Sequence, residues 1–139
     1  MLTDTLAKHF NVSPEEAESM KKEIGLRRNT SDQELFGLLL NNIAVLRDEV
    51  NRNFLYWHTH PDEHGKTRPA VESVYLVGGD ANLSGLSDYL TSSLRVPTTV
   101  ADVWVNAGLP AGEIPEISKM SSLGYATALG LALRTIDHE

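Results

Sequence analysis

The stretch VYLVGGDANLSGLSDYL, Val74 to Leu90, constrains the fold more than any other part of this chain. It joins VESVYLV, a run rich in β-branched and aromatic residues that ends in the apolar VYLV, to a segment in which Leu83, Leu86, Leu90 and Leu94 are spaced by three and four. The run reads as a strand and the leucine-spaced segment as a helix capped near Asn82 or Ser84. Because VESVYLV does not alternate, it predicts a strand buried on both faces, as in a parallel sheet under helices. A second β-branched run, VPTTVAD, follows, with Pro97 marking an edge or a strand start. Strand, helix and strand in that order predict a right-handed parallel crossover unit. Gly78 and Gly79 sit where strand becomes helix. Glycines belong where the backbone must bend tightly or let something come close.

The sequence before this unit predicts helices. Leu2, Leu6, Ala7 and Phe10 give a short amphipathic one. In SPEEAESMKKEIG, Ser13 caps, Pro14 takes the first helical position and Glu16 completes a capping box. Ala17, Met20 and Ile24 line one face, and Gly25 closes the helix. Farther on, Ser31 and Glu34 form a second capping box before Leu35, Leu38, Leu39, Ile43, Leu46, Val50 and Phe54. This helix reaches about Trp57, a length of ~40 Å at about 1.5 Å per residue. THPDEHGKTRP, with Pro61, Gly65 and Pro69, is an exposed loop, and VWVNAGLPAGEIPEIS is another. SSLGYATALGLALRTI predicts a last helix over residues 123–136, which Gly124, Ala126, Ala128, Gly130 and Ala132 leave thin on one side.

Composition removes several classes of function. The chain has 139 residues, enough for one domain with a real core. A net charge of −7, with lysines and arginines scattered, argues against a nucleic-acid surface. With no cysteine there are no disulfides and no thiolate metal sites. No apolar run approaches the ~20 residues of a membrane span. MLTDTLAKHF lacks the basic-then-apolar pattern of a signal peptide. A soluble, cytoplasmic protein is expected.

Chemistry-bearing candidates are few. In open α/β sheets ligands gather at the carboxyl ends of the strands, where GGDANLSG lies. It is neither a G-x-G-x-x-G fingerprint nor a Walker loop, and a tight turn holding no ligand is the plain alternative. Glu18, Lys21 and Lys22 lie opposite the apolar face of their helix. By themselves they read as a solvated face with an ordinary ion pair. His58, His60, Asp62 and His64 contain a His-x-His pattern that can chelate zinc, but in a Pro/Gly-bounded loop. Ser84 and Ser87 have no G-x-S-x-G elbow around them. Trp57 and Trp104 are read as packing residues.

Taken in order, AESMK, LRDEVNRNFLYW, VYLVGGDANLSGLSDYL and LGYATALGLALR resemble the C-terminal part of the actin-like ATPases, in particular the FtsA/PilM family. Members of that family serve type IV pilus assembly and cell division. The resemblance covers nearly the whole chain, and the glycine turn and the terminal GYATALGLALR are its most specific parts. It implies an α/β, actin-like (ribonuclease H-like) C-terminal lobe. Residues 1–30 would belong to a small helical subdomain and residues 31–139 to an α/β subdomain with a partial, mostly parallel sheet.

The resemblance also implies a nucleotide. Gly78 and Gly79 match the family's adenosine motif, with the backbone of Asp80 and Asn82 nearby. Glu18 and Lys21 match an E-x-x-K whose Glu meets ribose hydroxyls and whose Lys flanks the adenine, with Lys22 as neighbour. A carboxylate accepts from two hydroxyls, and a lysine stem covers a flat base while its head stays wet. Asp80 departs from the family, which more often has a small neutral residue there, and its charge would repel phosphates. The family's phosphate hairpins and metal-holding acids lie upstream of the matched part. The expectation is therefore the adenosine half of an ATP site, weak for ATP or ADP, with no residues for Mg²⁺ and no ATPase activity from this chain alone. A fragment, a truncated product or half of a split protein would fit, its N-terminal lobe lying elsewhere. The implied partners are other pilus-assembly proteins at the inner membrane and a second copy of the chain, paired through the sheet edge that missing hairpin strands leave open. The implied location is the cytoplasm or the inner face of its membrane. The rival readings are a non-catalytic α/β scaffold or interaction module, and an FtsA-like cell-division fragment.

Overall fold

The computed structural model describes residues 2–26, 32–105 and 116–136. They fall into two compact units, Met1–Val74 with Leu83–Thr98, and Tyr75–Asn82 with Thr99–Glu139.

The first unit is built from helices α1 (Leu2–Phe10), α2 (Pro14–Ile24), α3 (Gln33–Thr59) and α4 (Leu86–Leu94). The capping box of α2 forms as the sequence predicts. The Ser13 amide donates to Glu16 Oε2 at 3.0 Å, and the Glu16 amide donates to Ser13 Oγ at 3.2 Å. The cap of α3 differs from the expectation. Asp32 holds it, its Oδ1 accepting from the Leu35 amide at 2.9 Å, while Ser31 lies outside the described residues. Glu34 is then free of capping duty and meets His9 Nε2 at 3.0 Å. The helix runs two residues past Trp57 and ends at Thr59.

The core of this unit is a leucine stripe. Leu35, Leu39 and Ile43 recur every four residues on α3 and are buried. They share the interior with Leu6 of α1, Ala17 of α2, and Leu86, Leu90 and Leu94 of α4. Each such side chain contributes about 1.5–3 kcal/mol by leaving water. Helix α1 packs on α2 and α3, and α4 packs on α3.

The loop after α3 folds back on its own helix. Trp57 Nε1 donates to the Pro69 carbonyl at 2.7 Å, and the Arg68 guanidinium lies 4.4 Å from the centre of the Trp57 ring. Packing, as the sequence suggests, is what this tryptophan does. The histidine loop is organised by Asp62, whose Oδ1 accepts from the amides of His64 at 2.9 Å and Lys66 at 2.8 Å. His60 stacks on Tyr56 with ring centres 4.1 Å apart. Among the described residues no three His, Asp or Glu side chains are grouped so as to hold a metal.

Strands β1 (Val74–Leu76) and β2 (Thr98–Val100) make a two-stranded parallel sheet. The Val74 amide donates to the Pro97 carbonyl at 2.8 Å, and the Ala101 amide to the Leu76 carbonyl at 2.9 Å. The expected burial on both faces is not found, since Tyr75 is 67% and Val77 54% exposed. With only two short strands among the described residues, nothing there covers that face.

In the second unit, a 3₁₀ turn (Gly79–Asn82) follows β1. Farther on come α5 (Lys119–Ser122), a 3₁₀ turn (Leu123–Tyr125) and α6 (Ala126–Ile136). The single terminal helix expected from residue 123 therefore starts three residues later, behind a tighter turn. Leu123 and Ala81 are buried in this unit. No described helix is long and apolar enough to cross a membrane.

Candidate functional site

The candidate residues form two clusters, one in each unit. Glu18, Lys21 and Lys22 are on α2, and Gly78, Gly79, Asp80 and Asn82 are at and after the end of β1.

On α2, spacings of three and four bring both lysines to Glu18. Lys21 Nζ is 2.6 Å from Glu18 Oε2 and Lys22 Nζ 3.5 Å from Oε1. Helix α1 adds a residue that sequence reasoning missed. Thr3 Oγ1 donates to Glu18 Oε2 at 2.7 Å and accepts from Lys21 Nζ at 3.2 Å. The Lys21 side chain is only 5% exposed, against 33% for Glu18 and 70% for Lys22. The expected wet lysine head is thus buried against a carboxylate and a hydroxyl, and it is Lys22 that reaches solvent. Partial burial pushes the Glu18 carboxyl up. Hydrogen bonds from Lys21 and Thr3, with the charges of both lysines, outweigh that and hold it below the usual range.

At the end of β1, Gly78 has φ +93°, a conformation that favours glycine, and its amide donates to the Leu123 carbonyl at 2.9 Å. Its carbonyl accepts from the Ala81 amide at 3.2 Å, which closes the turn. A Cβ added to Gly79 would meet nothing within 4 Å, and its φ is not left-handed. No steric reason within the described chain requires glycine there. Asn82 does not cap α4, because its Nδ2 donates to the Met120 carbonyl at 2.9 Å. Ser84 does not cap it either. The position is held by Gly85, left-handed at φ +82°, with no side-chain cap.

The first unit contains a second glycine device that the sequence did not disclose. A Cβ on Gly25 would lie 2.7 Å from the Ser84 carbonyl oxygen and 2.8 Å from Ser84 Cβ. A Cβ on Gly85 would lie 3.1 Å from the Leu26 carbonyl oxygen. Between them the Leu26 amide donates to the Ser84 carbonyl at 2.7 Å. The C-terminal end of α2 is therefore clasped, backbone to backbone, against the Leu83–Gly85 segment. Each glycine alone reads as a helix end or a turn, and only their spatial meeting shows why neither tolerates a side chain.

This α/β arrangement is one already seen in a pilus machine. A chain of the solved PilM-PilN type IV pilus biogenesis complex shares the fold with a TM-score of 0.70 over 97% of this chain, at 24% identity. This chain spans 36% of the length of that one. The sequence profile described as type IV pilus assembly protein PilM matches residues 1–136, so the chain belongs to the PilM family. Comparison with curated proteins gives no match.

Proposed function

We propose that this chain is the part of a PilM-like actin-type protein that carries the adenosine side of a nucleotide site, and that it serves structurally in the cytoplasmic platform of a type IV pilus machine. The open space at Gly79 is the observation that carries the nucleotide reading: glycine stands there with no atom of the described residues within 4 Å of where a Cβ would lie. A ligand lying against the backbone supplies the missing reason. Glu18, one third exposed and held ionised, has the capacity to accept from ribose hydroxyls, and Lys22 is the solvent-facing cation beside it. Gly78, Asp80 and Asn82 shape the turn. ATP or ADP binds weakly, Asp80 disfavouring the phosphates, and the chain alone turns nothing over. In this reading residues 1–30 contribute to the small helical subdomain and residues 31–139 to the α/β subdomain. Its partners are pilus-assembly proteins at the inner membrane, of the PilN kind named with its structural relative.

Nuclear magnetic resonance titration with adenosine, ADP and ATP tests the site. Shifts are expected around Glu18, Lys22, Gly78 and Gly79 at ligand concentrations of about a millimolar, with ATP no better than adenosine. Gly79→Val should abolish them, with the fold checked by circular dichroism, since the new Cβ meets no described atom within 4 Å. If none of the three ligands moves these resonances, the nucleotide reading fails. The burial of Lys21 against Glu18 and Thr3 favours the second reading, a scaffold of the same family that binds no nucleotide.

A further inference from the structure

The two oxygens of the Glu18 carboxylate are held unequally. Oε2 accepts from Thr3 Oγ1 at 2.7 Å and lies 2.6 Å from Lys21 Nζ. A carboxylate oxygen has about two lone-pair sites, so these two donors fill it. Oε1 is 3.5 Å from Lys22 Nζ, beyond the roughly 2.7–3.2 Å of an N–H···O hydrogen bond, and so makes a charge contact that leaves its lone pairs open. The direction of the Thr3 proton is forced. An ammonium only donates, so the hydroxyl accepts from Lys21 Nζ, at 3.2 Å, and its own proton goes to Glu18. The last torsion of a glutamate is broad when free, and two donors on one oxygen, from α1 and α2, fix it. The Lys21 head is buried where this happens, so water does not compete for it. All of these side chains belong to the first unit.

We infer that Thr3 and Lys21 are positioning residues, which commit Glu18 Oε2 to the protein and present Oε1 alone to the sugar of a ribonucleoside. The inference rests on the nucleotide reading above and adds to it which atom recognises the ligand and what holds that atom in place. One oxygen with its lone pairs open suits two neighbouring donors, the 2′ and 3′ hydroxyls of ribose. A deoxyribose offers one donor fewer. The acceptor is ionised, so each bond to it is of the stronger kind, and a sugar lacking either hydroxyl should bind about tenfold less well. That discrimination needs a fixed carboxylate. Released from Thr3, the carboxylate turns, offers either oxygen, and loses less when a hydroxyl is missing. In this arrangement Lys21 serves the carboxylate and not the base, while Lys22, on a long exposed stem, fixes nothing.

Nuclear magnetic resonance titrations of the full chain with adenosine, 2′-deoxyadenosine and 3′-deoxyadenosine provide the test, on wild type, Thr3→Val and Thr3→Ser. Wild type should bind adenosine about tenfold better than either deoxy compound. Thr3→Val keeps the side-chain shape and removes the hydroxyl, and should shrink that ratio to about threefold or less. Thr3→Ser keeps the hydroxyl and should preserve the ratio. A Thr3 that only packs would change stability and leave the ratio alone. The Glu18 carboxyl gives a second readout that needs no ligand. Burial raises it, and the bonds from Lys21 and Thr3 with the charges of both lysines bring it below the usual range. A carbon-detected titration should therefore find it higher in Thr3→Val and unmoved in Thr3→Ser. Should Thr3→Val fail to fold, Thr3→Ala, with the best helix former at that position, carries the same comparison. Adenosine that binds with no preference over the deoxy compounds, or with a preference that Thr3→Val leaves intact, overturns this inference while the nucleotide reading stands. So does a Glu18 titration that Thr3→Val does not move. If no nucleoside shifts any resonance, the nucleotide reading falls and this inference falls with it.

Discussion

Replacing Gly25 by alanine should damage this protein far more than a single methyl group suggests. Two costs add. Gly25 has φ +58° and ψ −151°, a region that is nearly reserved for glycine and costs another residue about 2 kcal/mol. The new Cβ would stand 2.7 Å from the Ser84 carbonyl oxygen and 2.8 Å from Ser84 Cβ, inside van der Waals contact. One of these atoms is backbone, so the relief requires moving the chain, at about 1–3 kcal/mol for overpacking. That movement also stretches the 2.7 Å bond from the Leu26 amide to the same carbonyl. A loss of about 4 kcal/mol results, a large share of the ~5–15 kcal/mol that holds a domain together. Urea unfolding followed by helical circular dichroism measures it, with Gly79→Ala as control. That control adds a methyl to open space at an ordinary φ and should stay within about 0.5 kcal/mol of wild type. Ser84→Gly in the Gly25→Ala background should restore only part of the loss, since it removes the Cβ contact but not the carbonyl. Equal stability of the Gly25 and Gly79 variants would refute the clasp.

Other outcomes follow from the same geometry. Glu18→Gln takes a carboxylate from the buried Lys21 head and should cost about 1–2 kcal/mol, moderated because Glu18 is one third exposed. Its pH signature has a definite sign. The Glu18 carboxyl is depressed in the folded state, so its contribution is complete above the unfolded value near pH ~4.3 and is lost as pH falls through the folded one. Acid unfolding of wild type should therefore steepen below about pH 4.3 relative to Glu18→Gln, and parallel curves would remove the assigned role. Thr91→Val strips the cap from Thr98 and should cost about 1 kcal/mol in thermal unfolding, because a buried amide and carbonyl lose their partner.

Local chemistry was legible in the sequence, whereas meetings between distant segments were not. The Ser13–Glu16 box and the Pro14 start are encoded within four residues, and they form as read. At the start of α3 two neighbouring residues both have capping side chains. Periodicity cannot separate Ser31 from Asp32, and in the structure it is Asp32 Oδ1 that accepts from the Leu35 amide. The apolar run at β1 was read as doubly buried. Its hydrophobicity says that it prefers cover, not that cover is present, and Tyr75 shows the difference. Lys21 and Lys22 look alike on a helical wheel. Thr3, from another helix, buries one and leaves the other in water. Gly25 and Gly85 lie 60 positions apart, and no local rule links them.

The long helix has a mechanical consequence. All three buried residues of α3 lie in its first three turns, and none from Ala44 to Thr59 is buried. The helix is a beam clamped at its N-terminal end and projecting ~25 Å beyond the clamp, at about 1.5 Å per residue. Arg47 reaches Tyr89 of α4 at 3.5 Å, close to the clamp, and Trp57 donates to the Pro69 carbonyl near the tip. A free helical arm of this length is only marginally stable in water by itself. Its amide protection should therefore step down after Ile43. Bending or fraying of the arm would break hydrogen bonds while leaving the leucine core undisturbed. Whatever pulls on the Trp57 end has long leverage on α3 and meets little resistance until it reaches the clamp.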